Sequence, residues 1–310
     1  MKSIKPPGVI EYIGEAAHEL LTLQSRGKIL AVVSQAAYLL NEKGELFWLG
    51  TENVPMHRRG IRLSGLFPRL SVEAPYAIKD QHLIFGPRTA LDFSAARIWE
   101  TPPLPPGGIL PVADLPQRLR AVSDILDDLP VPAGFGGLIP DLLIIVQSKI
   151  TSHPRHIQTG IQAHAWPAVK EIATACLAHD FPKITEHACF LAGLGEGLTP
   201  SGDDFIGGLL FCRKILQNSY GNILNLEFPN LTDFFEKTRN STNIISYAFL
   251  KDHAEGWGFE PLHQFASAFL SGKTDRRLQP IADDLIHIGH STGWDLLTGF
   301  LTGILLAFDA

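Results

Sequence analysis

The chain has 310 residues, 45% of them hydrophobic and 19% charged, a globular composition that excludes disorder as the main state. Lys and Arg number 26 against 32 Asp and Glu, a net charge of −6; with no basic block, nucleic acid and anionic membrane surfaces are not expected partners. Cys176, Cys189 and Cys212 are too widely spaced for a CxxC motif and make an odd number for a disulfide framework, so buried reduced thiols in a cytoplasmic protein are expected.

Lys2 and Lys5 are followed by Pro6, Pro7, Glu11, Glu15, His18 and Glu19, which leaves no apolar run for a signal peptide. Residues 20 to 100 read as short strands. Lys28 to Val33 is apolar and β-branched. Ala37 to Leu40 and Glu45 to Leu49, joined by Asn41-Glu42-Lys43-Gly44, predict a hairpin. Ile61 to Leu63, His82 to Phe85 and Ala90 to Phe93 are further strands, punctuated by Pro55, Pro68, Pro75 and Pro87. Residues 101–108, Thr-Pro-Pro-Leu-Pro-Pro-Gly-Gly, form a stiff connector.

Beyond it the pattern is mainly helical. Leu115, Leu119, Val122, Ile125, Leu126 and Leu129 recur at helical spacing. Gly134 to Gly137 interrupts, and Asp141 to Ile150 resumes. Ala168 to Ala178 opens after Pro167. Phe205 to Leu216, Asn243 to His253, Leu262 to Leu270, Ile281 to Ile288 and Leu296 to Phe308 complete the helices. Near Cys189 the apolar runs are too short to separate strand from helix. Leu296 to Phe308 is broken by Thr and Gly and falls short of the roughly 20 residues of a membrane span. The expected fold is α+β: a β-rich domain over 1–100, the connector 101–108, and a larger, mainly helical domain over 109–310.

The chemistry concentrates in residues 193–210, Gly-Leu-Gly-Glu-Gly-Leu-Thr-Pro-Ser-Gly-Asp-Asp-Phe-Ile-Gly-Gly-Leu-Leu. Ninety-one residues after Ser201 the pattern returns. Ser201-Gly202 matches Thr292-Gly293, Asp204 matches Asp295, and Gly208 matches Gly299. A hydroxyl followed three residues later by an acid, before an apolar run, predicts a capping box. Both segments then read as a Gly-rich loop entering a buried helix. A cap alone does not require three alternating glycines, so a ligand reading stands beside it. Gly193, Gly195 and Gly197 can turn backbone N–H groups toward an anion, and a helix N-terminus favours one. Thr199 and Ser201 add hydroxyls, and Asp203 is left over by the cap. Asp203, Asp204 and Asp295 together suggest oxygen ligands for magnesium. The echo predicts that the Ser201 and Thr292 loops line one pocket.

Other signals are weaker. Gly289-His-Ser-Thr-Gly293 matches a nucleophile elbow, but no histidine follows His290. His287 and His290 share a helix face without enough partners for a clear zinc site. His153 and His156 read as a solvated loop pair, His253 as a satisfied surface or core residue, and Asp127 and Asp128 as a charged helix end. Arg58, Arg59 and Arg62 read as a solvated strand edge or as a clamp on an anion. Nucleotide-binding loops are absent from the glycine-rich segment.

Gly193 to Phe205 resembles the signature of the AllH-like family. Gly289-His-Ser-Thr-Gly-Trp-Asp-Leu-Leu297 resembles its C-terminal motif, and Ser241-Thr-Asn-Ile-Ile-Ser246 its middle motif. Asp92-Phe-Ser-Ala-Ala-Arg-Ile-Trp99 also fits. The resemblance implies a carbamoyltransferase-type subunit acting on a small anionic substrate in purine (allantoin and oxamate) catabolism, with other protein subunits as partners. The Ser-Thr-Arg-Thr phosphate loop of ordinary transcarbamoylases is missing. On this reading Asp203, Asp204 and Ser201 are the candidate catalytic residues. Gly195, Gly197, Thr199, Ser201, Gly202, Asn243, Ser246, His290, Ser291, Thr292, Gly293 and Asp295 are the candidate substrate contacts. No cofactor is required beyond a possible magnesium ion. A non-catalytic anion-binding or scaffold subunit and a metal-assisted hydrolase are the alternatives.

Overall fold

Short apolar runs between turn residues become strands in the first unit of the computed structural model, which divides at residues 1–102 and 103–310. The structure describes residues 8–23, 25–102, 108–126, 129–148, 160–229, 231–273 and 275–308. Lys2, Lys5, Pro6, Pro7, most of the 101–108 connector, Asp127, Asp128, His153 and His156 lie outside the described residues.

The first unit holds β1 (Val9–Gly14), α1 (Glu15–Thr22), β2 (Arg26–Val32), β3 (Ala36–Asn41), β4 (Leu46–Thr51), β5 (Gly60–Ser64), β6 (Pro75–Lys79), β7 (His82–Phe85), β8 (Thr89–Asp92) and β9 (Arg97–Trp99). They form one curled sheet in the order β8-β7-β6-β2-β3-β4-β5-β1-β9. Alternation places Tyr76 and Ile78 of β6 inside and their neighbours outside. Ile13, Ile29, Leu39, Phe47, Leu49, Ile61 and Leu83 share the core, closed by Ala17, Leu20 and Leu21 of α1.

The expected hairpin forms, with Leu40 opposite Leu46. Its turn is held by the Asn41 side-chain oxygen, which accepts from Lys43 N and Glu45 N at 3.0 and 2.9 Å. The helix α1 and the strands β1, β6 and β9 were not legible as periodic runs. β5 is an interior strand, paired on both sides. Arg62 therefore does not guard an edge; its guanidinium lies 5.8 Å from the Tyr12 ring centroid.

The larger unit is helical: α2 (Leu115–Leu126), α3 (Ile139–Ser148), α4 (Gly160–Leu177), α5 (Phe181–Leu191), α6 (Ser201–Tyr220), α7 (Leu231–Thr238), α8 (Ile244–Ala254), α9 (Glu260–Leu270), α10 (Asp275–Ile286) and α11 (Thr292–Gly303). Short 3-10 turns cover Gly134–Leu138 and Ile304–Ala307. α4 and α10 run through Pro167 and Pro280 instead of opening after them. A proline inside a helix costs a hydrogen bond. The burial of Ala165, Trp166, Val169 and Ile172 around Pro167, and of Leu278, Ala282 and Leu285 around Pro280, offsets it. Among the described residues, no helix is long and apolar enough to cross a membrane.

α6 is buried along most of its length and crosses α11 at two echo glycines. A Cβ on Gly208 would strike the Leu296 carbonyl oxygen, and a Cβ on Gly299 would strike that of Phe205. Leu296 and Phe205 are themselves 91 positions apart, so each helix presents the same backbone to the other. Each of the two helices also meets the helix before it at a glycine of its first turn. A Cβ on Gly202 would strike the Leu191 carbonyl at the end of α5, and one on Gly293 the Leu285 carbonyl in α10. α6 and α11 thus pack on each other reciprocally at equivalent glycines.

Candidate functional site

Residues Ser201 and Thr292 open α6 and α11 as their first helical residues, not as caps. Pro200 and Ser291 precede them, and neither makes a side-chain cap bond. The expected capping boxes therefore do not form. The Pro200 carbonyl accepts from Asp203 N and Asp204 N at 2.9 and 3.0 Å, which leaves the hydroxyls free to reach across the crossing. Thr199 Oγ1 lies 3.0 Å from Thr292 Oγ1, and Ser201 Oγ lies 3.4 Å from Ser291 Oγ. The two echo loops meet.

Two carboxyls occupy the space between these helix starts. Asp295 is fully buried and Asp204 is 4% exposed. The Thr292 and Thr199 hydroxyls lie beside Asp204 and favour its charged form, as those of Ser201 and Ser291 do for Asp295. Each acid thus feels the first hydroxyl of the opposite helix. Phe135 N donates to Asp295 Oδ1 at 2.6 Å. One oxygen of each acid, Asp204 Oδ2 and Asp295 Oδ2, is buried without a hydrogen-bond partner. Burial raises Asp204 well above the ordinary carboxylate range, and the neighbouring charge of Asp295 raises it further. Burial pushes Asp295 up to about 7, against the pull of Phe135 N–H and the two serine hydroxyls.

Asp203 turns elsewhere, because adjacent residues on a helix point about 100° apart. Its Oδ1 accepts from Gly193 N at 2.8 Å. Its Oδ2 accepts from the Ser246 hydroxyl at 2.7 Å and from the Thr242 hydroxyl. Burial raises its pKa, and these three donors oppose the shift. The acid that the motif left over is therefore the one engaged by protein, and the acid assigned to the cap is the one with an open oxygen. The three acids do not converge as magnesium ligands. Among the described residues, no group of three or more His, Cys, Asp or Glu side chains is placed to hold a metal ion.

Asn243 caps α8, accepting from Ile245 N and Ser246 N at 2.9 and 3.1 Å, and its amide donates to the Leu198 carbonyl at 2.8 Å. It ties the glycine loop down. The N–H groups of Gly202 and Gly293 are taken by the carbonyls of Leu194 and Ile288, at 2.8 and 3.0 Å. These two helix-end donors are not open to an anion. Gly195 is half-buried against Ser201 N, whereas Gly197 is exposed with open space beside its Cα. His290 is exposed in the α10–α11 loop.

Sequence reasoning read Gly134 to Gly137 only as a helix break. Gly134 has φ +53°, and a Cβ there would strike Asp295 Oδ1. Gln162 Nε2 donates to the Gly134 carbonyl at 2.9 Å. The signal available was a second glycine-rich stretch, but nothing in one sequence says what it packs against. Of the remaining candidates, His287 is exposed with Nδ1 2.7 Å from the Asp283 carbonyl. His253 is buried, both of its ring nitrogens lack hydrogen-bond partners, and burial lowers it to about 3.

Residues 191–304 match the model of a protein family described as oxamate carbamoyltransferase subunit AllH. The match takes in both echo segments and the Thr/Ser-rich motif between them. No solved structure matches the chain.

Proposed function

We propose, from the AllH match over residues 191–304, that this chain is a subunit of a carbamoyl-transferring assembly in which Asp204 and Asp295 handle the proton of the attacking amide. One observation carries the reading. Two buried carboxyls, brought together from two helices, each keep an oxygen with no protein partner. Buried acceptors without donors are costly unless a ligand supplies the donor.

The carbamoyl acceptor is oxamate, as the family description names it, and the donor an acyl phosphate, carbamoyl phosphate. The oxamate amide nitrogen attacks the carbamoyl carbon. A C–N bond forms, the carbon–oxygen bond to phosphate breaks, and phosphate leaves with that electron pair. The proton on nitrogen passes to the ionised carboxyl of the pair. An acid held near neutrality by burial suits a base at physiological pH. Thr199, Ser201, Ser291 and Thr292 orient the two carboxyls. Asp203, with Ser246 and Asn243, positions the loop that brings them. The pair is poor in donors, so we assign the anionic ends of the substrates to Gly195, Gly197 and His290 together with the other subunits. The free thiols fit a reducing compartment, and we place the assembly in the cytoplasm.

The test is transfer from carbamoyl phosphate to oxamate by the chain co-purified with its partner subunits. Asp204→Asn and Asp295→Asn should each lower the rate by about 100-fold or more, the loss expected on removing a general base, while the assembly elutes unchanged. Wild-type rates in both variants overturn the reading.

A further inference from the structure

The first unit holds a cleft that the proposed reaction does not use. It measures about 390 Å³, within the roughly 300–1,000 Å³ of small-molecule sites. It lies at the end of the curled sheet where β6 and β8 finish, at Lys79 and Asp92, and where β1 gives way to α1. The mouth of a curled sheet is a common place for such sites. Ile13, Leu21 and Ile78 line the cleft and also belong to the buried core, so it reaches down to the core of this unit. Phe93 adds an aromatic ring, and His18, Gln81 and Ser94 add hydrogen-bonding groups. Among the described residues that line it, none is Asp, Glu, Lys or Arg.

Gln81 is held there against its conformational preference. Lys79 pairs with His82, so Asp80 and Gln81 are the two turn residues between β6 and β7. Their φ angles are +48° and +62°. A two-residue turn of this kind favours glycine in its second place, because a Cβ crowds the left-handed backbone. Gln81 fills that place, and its carbonyl accepts from Phe93 N at 3.0 Å. Strain of this sort persists where the surrounding structure enforces it, and it gathers at ligand sites. We infer that the cleft binds a neutral, flat ring with a lactam edge, a carbonyl and an N–H side by side, and that the Gln81 amide reads that edge. A primary amide carries an acceptor and donors in one plane and so meets a lactam at two points. Phe93 and the isoleucines suit the faces of the ring. With no counter-charge among those lining residues, an ionic ligand would lose water without gaining a partner. The cleft lies outside residues 191–304, and the inference does not rest on the carbamoyl reading.

The experiment is an amide NMR titration of the full chain with four probes in the millimolar range: 2-pyridone, N-methyl-2-pyridone, benzoate and benzylammonium. 2-Pyridone should shift the Gln81 side-chain amide and bind about tenfold more tightly than its N-methyl form, which lacks the N–H donor. The two ions should bind more weakly still. Gln81→Gly should weaken 2-pyridone by about tenfold, the loss of its two-point contact, without lowering Tm, because glycine suits the turn. Ala96→Phe should abolish binding by filling the cleft, which Ala96 also lines. An ion binding as well as 2-pyridone overturns the inference, as does equal binding of the N-methyl form. So does unchanged affinity in Gln81→Gly, or the absence of any shift at Gln81 in the wild type. The ranking of the four probes is read on the wild-type protein and holds its force if a variant fails to fold. Asp204→Asn should leave 2-pyridone binding as it is, so loss of carbamoyl transfer and loss of this site are separate outcomes.

Discussion

Asp203 and Asp204 are neighbours in sequence with opposite situations. Asp203 meets three donors from two other segments, while Asp204 meets another acid. The helical rotation of about 100° per residue makes the difference. The raised pKa values have a sign that can be tested. Between the ordinary value of 3.8 and about 7, folded Asp295 keeps a proton that the unfolded chain has lost. Stability from this group is therefore fully present at low pH, falls as pH rises through that window, and is flat above it. Thermal melts of the wild type from about pH 5 to about pH 7 should show this decline, and Asp295→Asn should flatten it. An unchanged slope in the variant would place the titration on another group.

The helices α6 and α11 matter as a pair. α6 and α11 meet each other at the equivalent glycines Gly208 and Gly299, so the echo in sequence is an echo in packing. Gly208 and Gly299 bring two backbones into contact and thereby bring the two helix starts together. Gly208→Ala should raise local helix propensity by up to about 1 kcal/mol, yet the added methyl meets main chain that cannot move aside. We expect a net loss of about 1–3 kcal/mol in denaturant unfolding, the usual cost of overpacking. A midpoint equal to wild type would show that the helices do not touch there. The site reading was partly legible at this scale. The motif located both helix starts and their acids. It assigned the hydroxyls to caps because a sequence shows only the local partner, and here the cross-helix partner wins.

At the scale of the whole chain, the family match lies within the larger unit, and so does the acid pair. That unit also holds all three thiols, with Cys176 and Cys212 buried and Cys189 half-buried. Burial raises all three, and the Lys237 charge partly offsets this for Cys189. In native protein a thiol reagent should therefore modify Cys189 slowly and leave the other two until the larger unit opens. Mass-spectrometric mapping checks this. Early labelling of Cys176 or Cys212 would mean that the helical core opens far more readily than its packing implies.

Periodicity and turn chemistry were enough to divide the chain into a strand-rich part and a helical part and to place the Asn41–Gly44 hairpin, since those signals are local. They were also enough to single out Asp204, Asp295 and the hydroxyls before them, because the echo repeats within one chain. Only the tertiary structure decided which acid is open, that Gly134 and Phe135 close over Asp295, and that Pro167 and Pro280 sit inside helices. Each of these depends on packing between segments distant in sequence, where burial and hydrogen bonds outweigh the local preference.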